Sequence, residues 1–161
     1  MNKNIFLGIA LCCSMSTVSA QEVYNKIRSM AKASIEASQP NDMVRQLNQF
    51  KLDALDYMGM KMKEQMPDSS VTMLDKQAYA LYEFINIYIK DILLNSELSK
   101  SGQIKGIRLF MDASYSNPLF NDTDAELTLS YYANSASITR FSLDTDWRKA
   151  LAAIKAESKK Q

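Results

Sequence analysis

The chain has no histidine. That removes Ser-His-Asp and Cys-His catalysis, histidine general bases and ordinary zinc sites. It has two cysteines, Cys12 and Cys13, and both lie in the first 20 residues. The rest of the chain therefore offers no disulfide, no thiolate metal site and no thiol nucleophile. Four glycines and three prolines in 161 residues argue against a collagen-like or long low-complexity chain. Neither GxGxxG nor a GxxxxGK phosphate loop is present, so the common nucleotide cradles are missing. Charge is balanced as well, with 19 Lys+Arg against 18 Asp+Glu. No nucleic-acid partner is expected, because neutralising phosphates needs a clustered basic surface. Catalysis by paired carboxylates, a Ser–Lys pair or Tyr stays chemically possible. None of these has a recognisable motif, and an enzyme is not expected.

The first 20 residues read as an address. Lys3 gives a positive start. Ile5-Phe6-Leu7-Gly8-Ile9-Ala10-Leu11-Cys12-Cys13 is an apolar run, and Val18-Ser19-Ala20 supplies small residues for a signal peptidase. The run is too short to span a membrane, and the pattern is that of a secretory signal peptide. A lipid-attachment motif fits poorly, because a small residue belongs directly before the cysteine and Leu11 stands there. Cleavage after Ala20 places the protein in the periplasm or outside the cell. The mature chain then starts at Gln21, with 18 basic and 18 acidic residues and no cysteine. The Ala-Gln junction, the export segment and the size resemble small exported proteins of the Bacteroidota. That resemblance implies export and carries no activity.

Residues 21–161 read as a single domain, long enough to bury a core without disulfides. Val23, Ile27, Met30, Ala31 and Ile35 recur at helical spacing and predict a helix over 22–38. After Ser38-Gln39-Pro40-Asn41, Asn41 or Asp42 can cap a second helix that runs to about Met66. Its stripe is Val44, Leu47, Phe50, Ala54, Tyr57, Met58 and Met62, with Gly59 a weak point. A third helix over about 71–96 carries Leu74, Ala78, Leu81, Ile85, Tyr88 and Ile92 on one face. It is apolar over much of its circumference, which predicts a central position. Glu83, Lys90 and Asp91 interrupt it, so no transmembrane segment is expected after the leader.

After Ser99 the period changes. Ser101-Gly102 reads as a turn. Ile107, Leu109 and Met111 then alternate with Arg108, Phe110 and Asp112 and predict a strand. A second strand over about 126–133 carries Leu127, Leu129 and Tyr131. Asn134-Ser135-Ala136-Ser137 reads as a hairpin turn, and a third strand over about 138–143 carries Thr139, Phe141 and Leu143. Asp144-Thr145-Asp146 then caps a last helix with Trp147, Leu151 and Ile154 on one face. Helices followed by strands predict an α+β fold. It comprises three N-terminal helices packed with a three-stranded antiparallel sheet and a C-terminal helix.

Two constellations are candidate sites. A hairpin turning at Ser135-Ala136 would bring both Asp-Thr-Asp segments to one end of the sheet. Asp122, Asp124, Glu126, Asp144 and Asp146 would then form an oxygen-ligand site suited to Ca²⁺. The spacing is not that of an EF-hand, and turn and cap chemistry alone accounts for the same residue types. The second constellation is a contact surface. Met58, Met62 and Met66 share a helix face, where thioethers fill a core or make an adaptable surface. Tyr79, Tyr82 and Tyr88 mark the third helix. Tyr132 would point outward from the second strand, opposite Tyr131. The function expected is that of a small exported protein acting by contact with an envelope protein, a peptide or itself. The alternative is a carboxylate-centred calcium-binding protein or enzyme.

Overall fold

The computed structural model describes residues 22–40, 42–68, 71–123 and 138–159. These form five helices: α1 (Glu22–Ala37), α2 (Met43–Gln65), α3 (Val71–Ile87), α4 (Lys100–Tyr115) and α5 (Trp147–Ser158). A π-helical turn, Tyr88–Leu93, continues α3. Packed around α3 are α1, α2 and α5, while α4 lies on α5 and on the π-turn. None of these helices is long and apolar enough to cross a membrane.

α1, α2, α3 and α5 fall where helical spacing places them, and polar side chains set the starts of α1, α2 and α5. Asp42 accepts the Val44 amide at the start of α2, and Asp146 accepts the Lys149 amide at the start of α5. α1 is capped from elsewhere in the chain. Asp75 of α3 accepts the amides of Val23 and Tyr24 at 3.4 and 2.9 Å, which compensates the positive end of α1. At the other end, Arg45 donates to the carbonyls of Ile35 and Ser38. The Arg28 guanidinium makes a two-pronged pair with Asp56, binding α1 to α2 at the surface. Gly59 provides the notch that admits the Tyr24 phenol, which donates to the Leu55 carbonyl.

The α+β expectation is corrected here, because no strand occurs among the described residues. The predicted strand at Ile107–Met111 lies inside α4. Ser99 caps that helix by accepting the Gly102 amide at 3.1 Å, so Ser101-Gly102 is its first turn. Phe110, Ala113 and Ser114 form its buried face. A short apolar run fits both the two-residue and the 3.6-residue period, and here the packing selects the helix. The predicted third strand, 138–143, is irregular chain. Ser142 N–H donates to Ser114 Oγ, and in the continuation Asp146 N–H donates to the Asn117 carbonyl. The predicted second strand and hairpin turn lie outside the described residues.

The core is aromatic. Phe50 of α2, Phe84 and Tyr88 of the α3 rod, Phe110 of α4, Phe141 and Trp147 are all buried. Ring centroids lie 4.9 to 5.8 Å apart, mostly edge to face. Each such pair contributes about 0.5–1.5 kcal/mol beyond its area burial. Leu74, Ala78, Leu81, Ile85 and Ile92 complete the buried face of the central rod.

Candidate functional site

Of the five acidic residues predicted to converge, Asp124 and Glu126 lie outside the described residues. The other three have separate structural partners. Asp144 is buried and accepts three backbone amides. Its Oδ1 takes Leu119 and Phe120 at 2.9 and 2.8 Å, and its Oδ2 takes Asp122 at 2.8 Å. Asp122 therefore lies beside Asp144 through its backbone, but its carboxylate turns to α2. There Tyr57 Oη donates at 2.7 Å and Lys61 Nζ sits at 2.8 Å. Asp146 caps α5 and accepts Gln77 Nε2 at 2.8 Å. No group of three or more metal-ligating side chains converges among the described residues.

Thr145 is equally embedded. Its hydroxyl lies 2.8 Å from Ser114 Oγ and donates to the Ser142 carbonyl at 2.8 Å. Asn121 adopts the left-handed conformation, with φ of 53°, which asparagine tolerates better than most residues. The segment 139–146 and the loop 117–122 are thus bonded into one unit between α4 and α5.

The methionine stripe packs inward. Met58 and Met62 are in the core and Met66 is half-buried against it, whereas Met60 is exposed. Of the two roles the spacing left open, core filling and an adaptable surface, Met58 and Met62 take the first. Tyr132 lies outside the described residues.

Two buried features had no signal in the spacing. Lys51 is only 7% exposed. Its ammonium has a neutral partner, Asn48 Oδ1 at 3.4 Å, and lies 5.3 Å from the centre of the Tyr82 ring. Burial holds its pKa below the usual lysine range. Gln77 Oε1 and the Trp147 indole N–H are buried with no hydrogen-bond partner among the described residues.

The surface carries a cleft between α1, α3 and α5, of about 470 Å³, within the size range of ligand sites. Val23 lines it from α1, Asp75, Lys76, Tyr79 and Ala80 from α3, and Arg148 and Leu151 from α5. Tyr79 is 54% exposed, and its ring is free to meet a ligand. Both carboxylate oxygens of Asp75 turn to the first amides of α1. Lys76 and Arg148 are exposed and have no ion pair among the described residues. The sequence marked Tyr79 as one of the tyrosines of α3. It held no signal joining Val23, Tyr79 and Leu151, which lie on three separate helices.

No family model, curated protein or solved structure matches this chain.

Proposed function

We propose that the protein is exported by a cleaved leader, residues 1–20, and acts by contact, holding a segment of an envelope protein or peptide in the α1/α3/α5 cleft. The observation that supports this reading is Tyr79, more than half exposed over a cleft lined by Val23, Ala80 and Leu151. A phenol ring offers a large apolar surface and a polar tip at low entropic cost, which suits a recognition surface. The lack of histidine and of cysteine after residue 20 agrees with a role other than catalysis.

The test has two parts. Mass analysis of the exported protein is expected to find a chain beginning at Gln21. An intact Met1, or a lipid on Cys12 or Cys13, would overturn the export reading. A photo-crosslinking amino acid at position 79 is expected to give a discrete adduct in the envelope, and the same probe at exposed Lys105 on α4 is not. Equal labelling from both positions, or from neither, would overturn the cleft reading.

A further inference from the structure

We infer that the occupant of the cleft is an acidic peptide segment, one that sets an Asp or Glu beside a large apolar side chain. This rests on the contact reading above and specifies its partner. Charge complementarity carries it. The cleft presents two cations, Lys76 and Arg148, with no ion pair among the described residues. Its one lining acid, Asp75, is committed to the Val23 and Tyr24 amides. The site therefore keeps a net positive face beside apolar walls, where low-dielectric surroundings strengthen the field.

The position of Arg148 points the same way. It lies in the first turn of α5, two residues after the Asp146 cap whose carboxylate already serves the helix amides, and its side chain is exposed. A ligand carboxylate would be attracted by its guanidinium fork, whose planar geometry matches two carboxylate oxygens. The apolar side chain of the same segment would rest on Tyr79, Ala80 and Leu151.

Selection of random displayed peptides on the purified protein tests this. The expected sequences pair Asp or Glu with Leu, Phe or Trp. Replacing the acids of the best peptide by Asn or Gln is expected to weaken binding about tenfold or more, and added salt is expected to weaken it too. A Lys76→Glu, Arg148→Glu double variant is expected to select Lys- or Arg-bearing sequences instead. Both positions are exposed, so the variant should fold, and its circular dichroism spectrum would check that. Uncharged or basic sequences on the wild type, or a double variant that keeps its original peptides, would overturn the acidic occupant. The cleft reading would stand in that case if Tyr79→Ala still lost affinity. Peptide binding indifferent to Tyr79→Ala, or no enrichment at all, would overturn both. Selection of purely apolar sequences like residues 5–13 would assign the cleft to the leader. Self-association abolished by Tyr79→Ala would assign it to a second copy. Either result would overturn the acidic segment.

Discussion

The Oδ1 atom of Asp144 accepts the backbone amide of Phe120 at 2.8 Å, across 24 residues of chain. With the Leu119 and Asp122 amides, this carboxylate closes the loop after α4 onto the segment before α5. One side chain thereby joins two backbone segments distant in the chain. Asp144→Ala would leave three amides without this partner and is expected to cost about 2–4 kcal/mol. Urea unfolding with and without a calcium chelator would check it. A purely structural role predicts the same loss in both conditions, whereas a loss confined to calcium-containing buffer would contradict the hydrogen-bonding account.

Lys51 is a buried cation with no carboxylate partner among the described residues. Lys51→Met keeps the aliphatic packing and removes the desolvated charge. It is expected to stabilise the fold by about 1 kcal/mol near neutral pH. The folded-state pKa is lowered, so the folded state releases this proton at lower pH than the unfolded chain. The cost is thus fully present below the depressed pKa and shrinks as pH rises from there to about 10.4, the unfolded value. The advantage of the Met variant should narrow over that window. A stability difference that stays constant with pH would show that the ammonium is better solvated than its surroundings indicate.

Tyr88 Oη donates to the Ile138 carbonyl at 2.9 Å. Burial pushes its pKa up to about 12, with a smaller opposing effect from the Arg140 charge. A raised acid pKa means that the unfolded chain ionises first, near pH 10. The Tyr88 contribution is therefore complete below about pH 10 and is lost as pH rises toward the folded value. Tyr88→Phe is expected to cost about 1–2 kcal/mol at neutral pH, because the carbonyl loses its donor. Its stability should also decline less in alkali. Phenolate absorbance would follow the titration, and one fewer late-titrating tyrosine in the variant is the expected result.

At Gly106, α4 packs directly against Ile92 of the π-turn. A Cβ there would lie 2.4 Å from Ile92 Cδ1 and 3.3 Å from both Cγ atoms. Alanine gains about 1 kcal/mol in helix propensity over glycine, but overpacking costs about 1–3 kcal/mol. Gly106→Ala is expected to be net destabilising. With Ile92→Val, which removes Cδ1, the same change should become neutral or favourable. Thermal melts of the four proteins in this cycle measure the coupling, and simple additivity would count against the close approach.

The sequence by itself determined the helices whose apolar stripes are long. Val23 through Ile35, Leu47 through Met62 and Leu74 through Ile92 each repeat over several turns, and no strand could keep those residues on one face. It also marked where the caps fall, at Asn41 or Asp42 and within Asp144-Thr145-Asp146, because a carboxylate before a helical run meets that helix's own open amides; the structure gives the role to Asp42 and Asp146. The tertiary structure decided α4, since Ile107, Leu109 and Met111 carry the two-residue period while Phe110 and Ala113, three apart, are the residues that find the core. It decided the chain from 139 to 146, where Ser142, Asp144 and Thr145 are buried alongside Phe141. No alternation predicts such burial, and it is tolerated only because Ser114 and the 119–122 amides supply the hydrogen bonds. It also decided the cleft. Val23, Tyr79 and Arg148 belong to separate helices, and only packing α1 and α5 against α3 brings them onto one surface.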